Sequence, residues 1–299
     1  MRFKITLWLA ATALYAQQKP PELVPETTFR VGTELVQLSV SVFDANYKVI
    51  KGLPQSAFTV LENGAKQEIT VFRQEDVPVS MGLVVDNSAS MRDKRDRVAT
   101  AALAMVKASN PDDEVFLVNF SDEPEVTQGF TSDVKALEKG LRGITPAKGE
   151  TAMRDAVLLG IQHLRSTAKR DKRVLVVITD GDDNASVASQ QRLIEFAHQN
   201  SAIVYGIGIL GGEPPASAAR AKQRLEELVN ATGGRAWFPA DLASIDPIAP
   251  EIAHEIRNQY VVGYTPSDST KDGKFRKVTV EVNLPAAIVR TRSGYFARP

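Results

Sequence analysis

The stretch Val84-Val85-Asp86-Asn87-Ser88-Ala89-Ser90 decides how the rest of the chain is read. It continues an apolar run, Met81-Gly82-Leu83-Val84-Val85, and ends abruptly in one carboxylate and two hydroxyls before a helical pattern starts at Met91. Oxygen ligands at i, i+2 and i+4 on a strand-to-helix turn can converge on one point. A hard divalent cation, Mg²⁺ above all, prefers ligands of this kind. Asp and Ser are also common helix caps, so the case depends on whether distant parts of the chain supply the missing donors.

Two other stretches do. Val174-Leu175-Val176-Val177-Ile178-Thr179-Asp180-Gly181 is a second apolar run ending in an acid and a glycine. Between the two runs, Gly149-Glu150-Thr151-Ala152 reads as a loop opening another helix and offers the Thr151 hydroxyl. One Asp, two Ser, one Thr and a second Asp, each at a strand end or loop, form the pattern of a metal-ion-dependent adhesion site. At these residues the chain resembles the von Willebrand factor type A domains, over roughly residues 79 to 258. Across its full length it is similar to bacterial envelope proteins described as VWFA-related domain proteins, with a looser match in the flanks. The resemblance implies that Asp86, Ser88 and Ser90 contact the ion, and that Thr151 and Asp180 reach it directly or through water. It implies a protein partner that presents an Asp or Glu to the ion's open position. Mg²⁺ is the expected ion, although the same oxygens serve Mn²⁺ and Ca²⁺.

The surrounding pattern gives an architecture on its own terms. From Val79 onward, apolar strand runs at 81–86, 115–120, 174–180 and 202–209 alternate with helical stretches. The helices carry apolar residues three and four apart, as in Val98-Ala102-Met105, Val134-Leu137-Leu141 and Val157-Ile161-Leu164. Strands apolar at consecutive positions, separated by amphipathic helices, indicate a doubly wound, mostly parallel α/β sheet covered on both faces. Ligands of such sheets bind beyond the carboxyl ends of the strands, where Asp86 and Asp180 fall.

The flanks read differently. Val36, Leu38, Val40 and Val42 alternate with Gln37, Ser39 and Ser41, the period of a half-buried strand. Phe58–Leu61 and Ile69–Phe72 flank Asn63-Gly64, a hairpin signal because both positions accept positive φ. After a last helix at about 247–258, residues 259–264, 278–282 and 288–291 are strand-like again. The expected organisation is a signal peptide over 1–16, an extended lead-in over 17–28, an α/β domain over 79–258, and a smaller all-β sandwich. Residues 29–78 and 259–299 build that sandwich together, with Tyr260, Tyr264, Phe275, Tyr295 and Phe296 as core candidates.

Bulk properties narrow the function classes. An apolar content of 43% with 24% charged residues is that of an ordinary globular chain. With 36 basic and 36 acidic residues the formal charge is zero, so nucleic acid is not the expected partner. Arg2 and Lys4 precede the apolar run Ile5–Leu14 and then Tyr15-Ala16-Gln17, which reads as a secretory signal cut after Ala16. An exported protein, periplasmic or extracellular, with no membrane-spanning segment after cleavage, is expected. The chain has no cysteine, which removes disulfides, thiolate catalysis and Cys-based zinc sites.

Other motifs add little. Gly206-Ile207-Gly208-Ile209-Leu210-Gly211 fits G-x-G-x-x-G, but Pro214-Pro215 follows where a helix should open at the glycines. His163, His198 and His254 lie in helical stretches, and neither H-E-x-x-H nor G-x-S-x-G occurs. Aspartyl phosphoryl transfer usually needs a second acid two residues after the first, where this chain has Ser88. No catalytic and no organic cofactor-binding residue is therefore assigned, and the chain reads as a binding module rather than an enzyme. Two alternatives stay open at this point, an envelope component whose ion is purely structural and a metal-assisted hydrolase. Asp182 and Asp183 read as a solvated acidic loop, with added negative charge or a second ion near the rim as the alternative, and Asp155 as a hydrogen-bonding neighbour of the site or a surface charge.

Overall fold

The computed structural model of the chain describes residues 35–74, 76–108, 110–142 and 149–297. The expected signal peptide and lead-in, and residues 29–34, lie outside the described residues. Four strands come first: β1 (Val36–Phe43), β2 (Phe58–Glu62), β3 (Ala65–Gln67) and β4 (Ile69–Gln74). Then strands and helices alternate. The strands are β5 (Val79–Asp86), β6 (Glu114–Phe120), β7 (Pro124–Thr131), β8 (Lys172–Thr179), β9 (Ile203–Gly208) and β10 (Ala236–Trp237). The helices are α1 (Arg95–Ala108), α2 (Val134–Arg142), α3 (Met153–Thr167), α4 (Gln190–Asn200), α5 (Pro215–Thr232) and α6 (Ile248–Arg257). Four strands close the chain: β11 (Tyr260–Tyr264), β12 (Phe275–Val282), β13 (Ile288–Arg290) and β14 (Gly294–Phe296).

The central sheet has the order β10-β9-β8-β5-β6-β7. Its pairs are parallel except β6–β7, which is antiparallel. Counted in chain order from the β7 edge this is the 3-2-1-4-5-6 order of doubly wound sheets, and the order reverses between β5 and β8. All eight residues of β5 are buried. Leu83 and Val85 pack with α1, α2 and α6, while Val84 packs with α3, α4 and α5 on the other face. Two-sided burial is why these strands carry no polar alternation. Each covering helix buries one stripe, such as Met153, Ala156, Val157, Gly160, Ile161 and Leu164 of α3. The glycines of the 206–211 stretch serve this packing. A β-carbon at Gly206 would overlap Leu225, and one at Gly208 would overlap Phe238.

The remaining strands form two antiparallel sheets, β13-β1-β11-β4 and β14-β12-β2-β3. They enclose one apolar core that draws on both ends of the chain, with Val36, Leu38, Val40, Phe58 and Val60 against Tyr260, Val262, Val278 and Tyr295. Among the aromatic residues, Tyr260, Tyr264 and Tyr295 are buried, and the hydroxyls of the last two donate to the buried Glu62 carboxylate at 2.7 and 2.9 Å. Phe275, at 39% exposed, instead packs edge-on against Phe296 near His198.

The hairpin at Asn63-Gly64 differs from expectation in its second arm. Both residues have positive φ, 48° and 85°, as a tight turn requires. The strand that returns is β3, in register Val60↔Gln67 and Leu61↔Lys66, and β4 crosses to the other sheet to pair with β11. Three residues suffice for the return strand, too few for alternation to reveal.

A buried polar knot ties β1 to the α/β layers. Glu255 of α6 accepts from Ser41 Oγ at 3.2 Å and from Tyr205 OH at 3.1 Å, and Gln259 donates to both of those hydroxyls. Among the described residues, Glu255 Oε2 and Gln259 Oε1 have no hydrogen-bond partner. Burial pushes the Glu255 carboxyl up to about 7 from 4.5, against the opposing effects of the Tyr205 hydrogen bond and of Arg235 and Arg290. The folded chain thus retains a proton that the unfolded chain releases above 4.5. The stability tied to Glu255 is fully present below that value and is lost as pH rises through about 7, at up to about 1.4 kcal/mol per pH unit. Glu255→Gln removes the buried charge. It should raise the unfolding free energy at pH 8 by about 1–3 kcal/mol and flatten its pH dependence between 5 and 7 in denaturant titrations. A loss of stability at pH 8 would contradict this account.

Candidate metal centre

The carboxyl ends of β5 and β8 lie side by side, because Val85 pairs with Ile178 in the parallel register. Asp86 ends β5, and Asp180 follows the last residue of β8. Both are buried, at 1% and 0% exposed. The Asp86 carboxylate is fixed from two directions. Its Oδ1 accepts the backbone N–H of Ser88 at 2.9 Å, and its Oδ2 accepts the Thr179 hydroxyl at 2.6 Å. The following 3₁₀ turn, Ala89–Lys94, aims Ser90 across the gap. Ser88 Oγ and Ser90 Oγ are 3.0 Å apart, and Ser90 Oγ donates to Asp180 Oδ1 at 2.8 Å. Four of the five expected residues therefore form one connected cluster.

Thr151 stands beside it. The residue is buried, and a β-carbon at Gly181 would lie 3.7 Å from its hydroxyl oxygen. Its backbone is clamped: the Thr151 N–H donates to Asn184 Oδ1 at 2.8 Å, and the Thr151 carbonyl accepts from the N–H groups of Asn184 and Ala185. Ahead of it, Gly149 packs against the Asp122 carboxyl so closely that a β-carbon would collide.

Lys94 belongs to the site although the sequence reading did not include it. Its ammonium forms an ion pair with Asp180 Oδ2, with the lysine side chain 20% exposed and the aspartate fully buried. Burial pushes the Asp86 carboxyl above its ordinary value. Hydrogen bonds from Thr179 and Ser88 pull it down, and the neighbouring Asp180 charge pushes it further up. Two carboxylates held this close in a buried place favour a positive charge between them. The donor set fits a hard cation, since every ligand atom offered is an oxygen and neutral hydroxyls separate the acids. Among the described residues no group of three or more His, Cys, Asp or Glu could hold a metal, so hydroxyls would have to complete any set here.

Asp155, Asp182 and Asp183 turn out to be structural, and the expectation of a solvated acidic loop is corrected. Asp183, 7% exposed, accepts the backbone N–H of Arg154 at 2.7 Å and sits 3.2 Å from its guanidinium. It also accepts from Ser186, whose hydroxyl in turn caps the Asp155 N–H at 3.1 Å. Ala152, the N-cap of α3, has no side chain able to cap the helix, so the loop after β8 supplies the caps from a distance. Asp155 returns the contact by accepting from Val187 and Ala188 N–H. Asp182 is held by Arg220 and Arg224 at 2.7 and 2.8 Å. These locks fix Thr151 relative to Asp180. Asp183→Ala should cost about 1–3 kcal/mol of stability by uncapping α3. It should also raise amide hydrogen exchange at residues 150–155; unchanged exchange there would count against the lock.

In fold the chain is similar to a von Willebrand factor type A protein from Catenulispora acidiphila, at 14% identity and a TM-score of 0.54, over 90% of this chain and 65% of that one. It is also similar to proximal thread matrix protein 1 of the mussel byssus, in a structure described as having a zinc-occupied MIDAS motif. There the identity is 15% and the TM-score 0.52, over 65% of this chain and 49% of that one. A D319A mutant of the PilB minor pilin from Streptococcus sanguinis matches at 15% identity and a TM-score of 0.50, over 60% and 61% of the two chains. No curated protein is close enough in sequence to count as a relative. Residues 81–182, from within β5 to the loop after β8, match the family model of the von Willebrand factor type A domain.

Proposed function

We propose that this chain is an exported protein-binding module in which Asp86, Ser88, Ser90, Thr151 and Asp180 hold a divalent cation, Mg²⁺ first, that engages an Asp or Glu of a partner protein. The observation that carries the reading is the run of hydrogen bonds that joins the Asp86 carboxylate to Ser88, the Ser88 hydroxyl to that of Ser90, and Ser90 to Asp180, at the switch point of the sheet. When bound, the cation supplies positive charge and an open coordination position for a carboxylate. The chain's own residues do the rest. Asp86 and Asp180 concentrate negative charge from two adjacent strands, and Thr179 orients Asp86 by its hydrogen bond. Ser88 and Ser90 add oxygens without adding charge. Lys94 holds Asp180 and competes with any incoming cation for its Oδ2.

We assign no catalytic role. Among the described residues the histidines serve packing: His163 stacks with Phe116 and Phe130, His198 contacts the Ala231 carbonyl, and His254 meets Asn258. No described helix is long and apolar enough to cross a membrane, and the export part of the proposal rests on residues 1–16 of the sequence.

The test is a Mn²⁺ and Mg²⁺ titration of the full chain by calorimetry, with capture of envelope proteins in Mg²⁺ and in chelator. One ion per chain is expected, with affinity reduced at least about 100-fold in Asp86→Ala, a loss of about 3 kcal/mol. Lys94→Met, which removes the competing charge, should bind several-fold more tightly. Equal affinity in wild type and Asp86→Ala would overturn the site. Metal-dependent melting with identical capture in Mg²⁺ and chelator would leave the ion a structural part.

A further inference from the structure

A second, unrelated site lies at the opposite edge of the central sheet. β8 runs from Lys172 to Thr179, so its two ends are about 23 Å apart at roughly 3.3 Å per residue. At its starting end a cleft of about 1030 Å³ opens between the outer face of the β1–β11–β4 sheet and the ends of α3 and α4. Arg73, Arg165, Lys169, Arg170, Arg173 and Arg292 line it. Among the described residues, Asp171 is the only acidic one that does. The whole chain has zero formal charge, so this is a local concentration of positive charge rather than a property of the surface at large.

The cations come from both walls. Ser39, Val261 and Arg73 are cross-strand neighbours on β1, β11 and β4. Arg165 comes from α3, and Lys169, Arg170 and Arg173 from the turn and strand start that follow it. Among the described residues, Arg73, Arg165, Lys169, Arg170 and Arg173 pair with no carboxylate. Arg170 is steadied by the Asp112 carbonyl at 2.9 Å, and Arg292 by Ser201 Oγ and the Gln37 carbonyl.

We propose that this cleft binds a chain of phosphate groups, as in an inorganic polyphosphate. Guanidinium forks match phosphate oxygens in pairs, and the cleft stands at the upper end of the roughly 300–1,000 Å³ of small-ligand pockets. Its concavity suits an entering strand better than a flat bilayer. The aromatic rings among the described lining residues are engaged elsewhere: Tyr295 is buried with its hydroxyl on Glu62, and Phe296 and His198 pack on Phe275.

The experiment titrates the full chain with tripolyphosphate and with long-chain polyphosphate across a salt series. Single-stranded DNA and phosphatidylglycerol vesicles are run in parallel. Arg165→Gln with Lys169→Gln, both exposed positions, should weaken polyphosphate binding about tenfold or more. The slope of log K against log salt should fall by roughly 1.5, at about 0.7–0.9 per lost contact. Arg73→Gln on the facing wall should weaken it further. Lys66→Gln with Lys135→Gln, exposed outside the cleft, carries the same net change and should leave binding intact, as should Asp86→Ala. Equal losses in the two lysine-bearing pairs would reduce the effect to net charge and overturn the proposal. Binding to vesicles or DNA with none to polyphosphate would overturn it too, as would no binding of any probe at about 0.15 M salt.

Discussion

The parallel pairing of β5 with β8 is the constraint on which the rest depends. It brings together two strands that are far apart in the chain and ends both in a carboxylate, at the place where the strand order reverses. The helices must leave in opposite directions there, so the chain parts and exposes the strand ends. Neither acid could be buried by its own segment. Asp86 is tolerable because Thr179 and the Ser88 N–H hold it, and Asp180 because Ser90 and Lys94 do. The buried carboxylates and the hydroxyls around them stand or fall together.

Around this pair, loops are fixed by one another rather than by their own sequence. The loop after β8 caps α3, and α3 holds that loop in return through Asp155. The result is a rigid rim built from segments with no regular structure of their own.

Much of this was legible in the sequence for a physical reason. Strands buried on both faces must be apolar at every position, so β5, β6, β8 and β9 announce themselves, and the polar residues that interrupt them mark the sheet edge. Period-two alternation placed β1 in the same way. What stayed illegible depends on long-range pairing. Lys94 looks like any helix-surface lysine until Asp180 is brought beside it. Asp183 reads as a solvent-facing acid until Arg154 and the start of α3 arrive. The edge strand β7, with its half-buried Pro124–Thr131 run, has too little apolar content to stand out. The arms of the Asn63-Gly64 turn could be counted but not assigned, since β3 has only three residues.

The antiparallel pairing of β1 with β11 has a temporal side. Val36 meets Tyr264 and Val40 meets Tyr260, while β13 completes the other edge of β1. During synthesis β1 therefore emerges without either neighbour, and both appear only after the whole α/β layer has been made. At about 5–20 residues per second that delay is roughly ten to forty-five seconds, during which an apolar strand has two open edges. Loop closure over such a span is entropically slow to be rewarded. The α/β layer, whose contacts are more local, can condense first and so shorten the effective distance between the ends. In this order of events the central sheet acts as the clasp that brings the two ends of the sandwich within reach, and the sandwich seals last.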